Sequence, residues 1–101
     1  MLWAISRVAA PKFAEKRDGG LLQPHIDYLH GQKNILVISG ATKSDDGKEY
    51  VGSLLIVNVK TRAEAQAFVD GDPFTKAGMF TSVTITRMNK GQFNPQAAEG
   101  A

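Results

Sequence analysis

The chain has 101 residues, and twelve basic against ten acidic side chains give it a formal net charge of +2 at pH 7. A chain of this length supports one hydrophobic core and is too short for two domains. With 43% hydrophobic and 22% charged residues, it is typical of a globular rather than a disordered protein. The near balance of charge, without a basic run, argues against a nucleic-acid partner.

The absence of cysteine excludes a disulfide framework, a thiolate nucleophile and a cysteine metal site. No segment approaches the roughly 20 apolar residues of a membrane span, and the apolar stretch at residues 1–7 is too short for a signal peptide. We therefore expect a cytoplasmic protein with no membrane partner.

The first third of the chain predicts one strand and one helix. Residues 2–8 form an apolar run that is typical of a strand. In residues 12–20 the charged side chains and two successive glycines predict that no helix forms. Beyond them, apolar residues recur at helical spacing at Leu22, Ile26 and Leu29. This spacing predicts an amphipathic helix that starts near Pro24 and ends at Gly31.

Two further strands follow in the middle of the chain. Residues 35–38 are an unbroken run rich in β-branched side chains, which is typical of a strand buried on both faces. Residues 41–49 contain Asp-Asp-Gly and are predicted to be an exposed connection. Residues 50–59 are again apolar on successive positions, so we expect both faces of this third strand to be covered.

A second helix is predicted from a capping box, Thr61 to Glu64. In this motif the threonine oxygen accepts the N–H of Glu64, and the glutamate reaches back to the N–H of the cap residue itself. Ala65, Phe68 and Val69 supply the apolar face of the helix. Gly71 is the expected left-handed terminator.

The last third of the chain predicts a short helical turn and a fourth strand. Asp72-Pro73 is typical of an N-cap followed by proline at the first helical position, in a turn that runs to Lys76. Residues 79–88 alternate, with Val83 and Ile85 on one face. Residues 93–101 have nothing to bury and are predicted to be a flexible tail.

The element order is therefore βαββαβ, which predicts an α+β, ferredoxin-like domain over residues 1–92. Its four-stranded antiparallel sheet carries both helices on one face. Because two strands are apolar on both sides, the helix-free face needs a cover, and we expect a homodimer that packs sheet against sheet. The alternative is a monomer in which loops and the tail cover this face.

His25 and Asp72 are the two candidates for acid-base chemistry, but the position of each residue has an explanation that involves no catalysis. His25 lies at the margin of the apolar stripe of its helix, where a packed, locally hydrogen-bonded histidine is the simpler interpretation. Asp72 is explained by helix capping alone.

Three segments of the chain, taken together, favour the catalytic interpretation of His25 and Asp72. They are Pro24-His25-Ile26-Asp27-Tyr28-Leu29, Leu36-Val37-Ile38-Ser39-Gly40, and Asp72-Pro73-Phe74-Thr75-Lys76-Ala77-Gly78. Together they resemble the YCII-related family of small dimeric α–β-barrel proteins. The first is similar to its helical His-Leu-x-x-Leu stretch, the second to its Leu-Leu-x-x-Gly strand end, and the third to its Asp-Pro-(aromatic)-x-x-Ala-Gly signature.

The resemblance implies an active site built from His25 and Asp72. A carboxylate bonded to one imidazole nitrogen fixes the tautomer and stabilises the imidazolium formed when the ring takes a proton. The expected substrate contacts are the backbone at Gly40 and Gly78, aromatic walls from Tyr28, Phe74 and Phe80, and the hydroxyl of Ser53, for which core packing is the alternative.

One position departs from the family pattern. Many relatives have an arginine three residues before the histidine, where this chain has Leu22. The nearest arginine, Arg17, lies on the other side of the predicted break. An anion clamp from this helix is therefore not expected.

Other chemistries fit the sequence poorly. The segment at residues 40–44 ends like a phosphate-binding loop, but its glycine spacing is wrong and a strand follows it. His25 and His30 lie about 140° apart around the helix and are not able to bind one metal. The third strand lacks the stacking aromatics of an RNA-binding sheet. We expect no cofactor and no metal.

The resulting hypothesis is cofactor-free proton transfer on a small cyclic or aromatic metabolite, in an elimination, isomerisation or hydrolysis. One branch of the family acts as a dehydrochlorinase. The alternative is a non-catalytic module that binds a ligand or serves a larger assembly on the same dimeric scaffold.

Overall fold

The computed structural model describes all residues from 1 to 101. The strands are β1 (Leu2–Ala9), β2 (Leu36–Lys43), β3 (Tyr50–Asn58) and β4 (Phe80–Met88), and the helices are α1 (Phe13–Lys16), α2 (Leu22–Gly31), α3 (Arg62–Gly71) and α4 (Pro73–Lys76). A π-helical turn, Arg17–Leu21, joins α1 to α2, and a 3-10 turn spans Pro95–Ala98. None of these helices has the length and hydrophobicity to cross a membrane.

The four strands form one antiparallel sheet in the order β2-β3-β1-β4. This order confirms the predicted ferredoxin-like arrangement. The core lies between the sheet and α3, where Ile5, Leu55 and Phe68 are among the buried residues. A second, smaller cluster forms around Phe13 and Phe74 at one end of the sheet.

The buried face of β1 and that of β3 each continue from apolar side chains to one polar side chain. On β1 the buried face carries Trp3, Ile5 and then Arg7. Ser53 of β3 pairs directly with Arg7 and continues the row of Leu55. Alternation along both strands therefore carries a charged and a hydroxyl side chain to the helix-covered side of the sheet, beyond the apolar core.

Gly52 permits the close approach of β3 to β1 beside this pair. A Cβ atom at this position would overlap the carbonyl oxygen of Arg7. A larger residue would therefore have to displace the backbone that carries the Arg7 side chain.

The predicted break at Gly19-Gly20 is present, because Gly20 has a non-helical backbone, but the prediction that no helix forms in residues 12–20 is wrong for Phe13–Lys16. Phe13 is buried, and its ring lies 5.6–5.8 Å from the rings of Tyr50, Phe74 and Phe80. This burial stabilises a short helix that local sequence does not favour. Gly20 then adopts φ 121°, outside the helical region, and the chain kinks there before it enters α2.

Two predictions about the strands also need correction. The second strand extends to Lys43, because the ladder with β3 continues through Lys43 and Tyr50, which shortens the predicted connection. The prediction that both faces of β2 and β3 are covered is wrong for the single chain: Ile38 is 54% exposed and Leu54 is 45% exposed. On the helix-free face of the sheet, the apolar side chains of Val8, Ile38 and Leu54 are therefore open to solvent.

The ends of α3 differ from the prediction in two details. Thr61 accepts the N–H of Glu64 at 3.1 Å as expected, but the Glu64 carboxylate accepts from the N–H of Lys60 at 2.9 Å instead of that of Thr61. Gly71 is the last helical residue and does not have a positive φ. Its small size matters for another reason, because a Cβ there would lie 2.5 Å from the Tyr28 hydroxyl oxygen.

Candidate active site

Asp72 lies where α3 ends and α4 begins, and its side chain is buried. One carboxylate oxygen, Oδ1, accepts the backbone N–H of Phe74 at 3.0 Å, which is the predicted cap of α4. The same oxygen lies 2.7 Å from Nδ1 of His25. The other oxygen, Oδ2, accepts from Nη1 of Arg7 at 2.7 Å. The carboxylate therefore caps α4 and also joins the Arg7 guanidinium to the His25 imidazole.

These contacts determine the charge of Asp72. Burial alone would raise the pKa of the carboxyl group, but the hydrogen bonds from His25 and Arg7, with that from Phe74, outweigh it and hold the pKa of Asp72 below its ordinary value. Asp72 is therefore ionised at neutral pH, and it acts only as an acceptor.

His25 is held by two constraints. Because Asp72 accepts, the neutral imidazole carries its proton on Nδ1. The ring also stacks on Phe74, with centroids 3.8 Å apart and planes at 4°. Nε2 has no hydrogen bond to the protein, and it remains as the nitrogen that can take a proton. The structure thus brings the two predicted catalytic residues together, while their catalytic role stays a prediction.

Arg7 is the residue of this network that the sequence analysis missed. Its Nε donates to Ser53 Oγ at 2.8 Å, its Nη1 also donates to Thr75 Oγ1 at 3.2 Å, and its guanidinium carbon lies 4.1 Å from the centre of the Phe80 ring. Burial lowers the pKa of Arg7, opposed by the hydrogen bond and charge of Asp72. The third nitrogen, Nη2, is buried and has no hydrogen-bond partner.

A signal for Arg7 was present in the sequence. The alternation of residues 2–8 places Trp3, Ile5 and Arg7 on one face, and Trp3 and Ile5 are the obvious core residues of that strand. An arginine on a core face needs a buried partner, and only a carboxylate can neutralise it.

A cavity of about 180 Å³ opens against this network, between α2 and the edge of the sheet formed by β2 and β3. Three of the predicted substrate contacts line it together with His25, namely Gly40, Ser53 and Phe74. Arg7 also forms part of its wall.

The other three predicted contacts lie outside the cavity. The Tyr28 hydroxyl donates to the carbonyl of Phe68 at 2.7 Å; burial, with the charges of nearby aspartates, raises the pKa of Tyr28, so the phenol stays protonated. Gly78 has φ 68° in the turn after α4. Phe80 lies against the guanidinium of Arg7 and supports it from outside the cavity.

Arg17 lies on the far side of the break from α2, as expected, but it still reaches the cavity. Arg17 follows α1 directly, before the kink at Gly20, and lines the cavity together with Leu22. Its Nη1 donates to Asp18 at 2.9 Å, and its guanidinium lies 4.7 Å from the centre of the Tyr50 ring.

Comparison with known proteins agrees with this architecture. A family model described as the YCII-related domain matches residues 1–89. Among solved structures, the fold is similar to that of 5-chloro-2-hydroxyhydroquinone dehydrochlorinase (TftG) from Burkholderia phenoliruptrix AC1100, in complex with 2,5-dihydroxybenzoquinone. The TM-score is 0.78 at 33% sequence identity, over 90% of this chain and 96% of that chain. No curated protein matches the chain.

The depressed pKa of Asp72 predicts how stability depends on pH. A carboxyl group whose pKa is lower in the folded than in the unfolded state stabilises the fold above its ordinary pKa, here 3.8, and this contribution is lost as pH falls through the folded pKa. Asp72→Asn should lower the free energy of unfolding at pH 7 by about 3–5 kcal/mol, since it leaves Arg7 buried without its counterion. The difference from wild type should shrink below about pH 4.

Urea unfolding followed by circular dichroism at a series of pH values measures this effect. Asp70→Asn removes an exposed carboxylate from the last turn of α3, two residues before Asp72, and controls for the loss of one charge. A constant difference between wild type and Asp72→Asn from pH 7 to pH 2 would show that the carboxylate is not held by these contacts.

Proposed function

The chain belongs to the YCII-related domain family, and on that premise we propose that it is a small-molecule enzyme in which His25 transfers protons and Asp72 orients it. The observation that carries the proposal is the 2.7 Å contact between His25 Nδ1 and a buried, ionised Asp72 beside a ring-sized cavity. A neutral imidazole held in this way has its accepting nitrogen free for substrate.

The proposed chemistry follows from this geometry. His25 Nε2 removes a proton from the substrate, and the imidazolium that forms gains a charge-assisted hydrogen bond to Asp72. Phe74 holds the ring plane so that Nε2 keeps its direction during transfer. Return of the proton to another atom would complete an isomerisation, and departure of an anionic leaving group would complete an elimination.

Among the reaction types, we favour elimination from a cyclic or aromatic substrate. TftG is a dehydrochlorinase and binds a dihydroxybenzoquinone. The shared fold and 33% identity make loss of hydrogen chloride from a hydroxylated ring the first reaction to test. A cytoplasmic location belongs to the same proposal.

We further propose that the protein is a homodimer that packs through the helix-free face of its sheet. Val8, Ile38, Leu54 and Met88 are 37–54% exposed on this face. A groove of about 420 Å³ extends from it to Phe93 in the C-terminal segment. Exposed apolar side chains gathered on one face of a sheet are typical of an interaction surface, and a second copy of the same face would cover them.

Substitution of the two site residues tests the enzymatic proposal. With 5-chloro-2-hydroxyhydroquinone as the probe, His25→Ala and Asp72→Asn should each reduce the rate of chloride release by about 10²- to 10⁴-fold, the usual contribution of a positioned general base. His30→Ala changes the exposed histidine of the same helix and serves as the matched control.

Circular dichroism must show that the variants stay folded at the assay temperature. If His25→Ala releases chloride at the wild-type rate, the proposed role of His25 is refuted. If wild type binds this probe without releasing chloride and shows no turnover of related ring substrates, the non-catalytic ligand-binding alternative takes its place.

The dimer proposal is tested by a charge placed on the helix-free face. Leu54→Glu should convert a dimer into a monomer, because a carboxylate would be buried without a partner at the centre of the interface. Sedimentation velocity measures the mass of each species. Ala67→Glu introduces the same charge on the exposed side of α3 and should stay dimeric. A monomeric wild type at the highest concentration measured would contradict the proposal.

A further inference from the structure

Helix α2, which carries His25, is anchored to the rest of the protein by few contacts. None of its ten residues is buried. Only two hydrogen bonds join it to distant parts of the chain: His25 Nδ1 lies 2.7 Å from Asp72 Oδ1, and the Tyr28 hydroxyl donates to the carbonyl oxygen of Phe68 at 2.7 Å. Apart from the acid-base pair itself, Tyr28 therefore makes the one hydrogen bond that holds α2 against α3.

The two bonds lie on the same face of α2. His25 and Tyr28 are three residues apart, which makes them neighbours on the surface of the helix. Their partners are also close together, because Phe68 is in the last turn of α3 and Asp72 directly follows that helix. Two neighbouring points of α2 are thus tied to two neighbouring points at the end of α3.

The carbonyl that Tyr28 binds has lost its α-helical partner because α3 ends there. In a continuing helix the N–H of Asp72 would donate to Phe68, four residues earlier, but it donates to Val69 at 3.2 Å instead. Pro73 disfavours a helical backbone at Asp72, whose φ and ψ are −70° and 127°. The hydroxyl of Tyr28 therefore replaces the missing donor at the point where the chain turns to place the carboxylate.

Gly71 makes room for this tyrosine. A Cβ atom at Gly71 would lie 2.5 Å from the hydroxyl oxygen of Tyr28 and 3.0–3.1 Å from two carbon atoms of its ring. Gly71 is helical and has no positive φ, so its backbone would accept alanine, which is the better helix former. The position needs glycine because of the space that Tyr28 occupies and not because of its backbone conformation.

The hydroxyl of Tyr28 is a permanent donor to a well-packed residue. Burial, with the charges of Asp72 and Asp70, raises the pKa of Tyr28, so the phenol keeps its proton throughout the range in which histidine titrates. Phe68 belongs to the main core, and its ring lies 5.8 Å from that of Tyr28. The bond thus joins the helix of His25 to the core of the protein.

We propose that Tyr28 is a positioning residue for the acid-base pair: its bond to Phe68, for which Gly71 leaves room, holds α2 where His25 reaches Asp72. The inference rests on the proposed function and adds a residue to its site. Tyr28 does not line the cavity, so it acts through His25 and not on the substrate. Small displacements matter here, because a misplacement of about 1 Å at a reacting group can reduce a rate about 10²-fold.

Nitrogen NMR of His25 at alkaline pH, without substrate, measures this positioning. Tyr28→Phe removes one oxygen atom and keeps the ring. It should lower the fraction of neutral His25 that carries its proton on Nδ1, and it should speed the exchange of that proton with solvent about 2- to 10-fold, as expected when one hydrogen bond that resists the movement of α2 is lost. Tyr50→Phe removes the other tyrosine hydroxyl of the chain, on β3, and should change neither quantity.

Gly71→Ala is a second variant, and it keeps every polar group. The added methyl group would displace the phenol, so the His25 signals should change in the same direction as in Tyr28→Phe. Gly31→Ala is the matched control, because Gly31 is also the last residue of its helix and a Cβ there meets nothing within 4 Å. If Tyr28→Phe does not fold, Gly71→Ala and Gly31→Ala provide the test.

Kinetics give an independent measure of the same role. With 5-chloro-2-hydroxyhydroquinone as the probe, Tyr28→Phe should lower kcat about 5- to 50-fold and leave KM within about twofold of the wild-type value. The split is expected because the cavity walls are intact and only the direction of the proton acceptor has changed.

A purely structural role for Tyr28 predicts a different result. If Tyr28→Phe and Gly71→Ala unfold at lower urea concentration but keep the wild-type tautomer and exchange rate of His25, the inference is overturned. The outcome is separable from that of the proposed function, because the NMR measurement needs no turnover. Altered His25 signals in both variants, with no turnover by wild type, would leave the positioning role standing and reject the enzymatic one. Turnover that requires His25 and is unaffected by Tyr28→Phe would do the reverse.

Discussion

The buried carboxylate of Asp72 is the interaction on which the site depends. It receives donors from β1, α2 and α4, through Arg7, His25 and the N–H of Phe74. A carboxylate this far from water is costly unless every lone pair has a donor, and loss of one partner leaves another charge uncompensated. The same set of bonds therefore fixes the end of a helix, the position of an arginine in the sheet and the orientation of the imidazole.

This sharing explains why the capping and catalytic interpretations of Asp72 are compatible. The cap uses one lone pair of Oδ1 and leaves room for His25 on the same atom, while Oδ2 is taken by Arg7. The proline after Asp72 begins α4 and helps to hold the carboxylate in place. A motif that is fully accounted for by helix capping can thus also supply the second member of an acid-base pair.

The order of strands and longer helices was predictable because hydrophobic periodicity and capping chemistry are local. The helix at Phe13 was not predictable, since it is stabilised by an aromatic cluster. The other members of that cluster, Tyr50, Phe74 and Phe80, are far away in sequence. The pairing of His25 with Asp72 was suggested by family resemblance and not by spacing. Arg7 was visible in the alternation of its strand, but its partners lie 46 to 68 residues away.

Nitrogen NMR of the histidine side chains at alkaline pH tests the central claim most directly. If Asp72 accepts from His25, the neutral ring of His25 carries its proton on Nδ1 and Nε2 is bare, whereas exposed His30 reports the ordinary mixture of tautomers. Asp72→Asn should shift the His25 signals towards those of His30. Identical spectra for the two rings in the wild-type protein would contradict the account, because the nitrogen that is meant to take the proton would then not be set by Asp72.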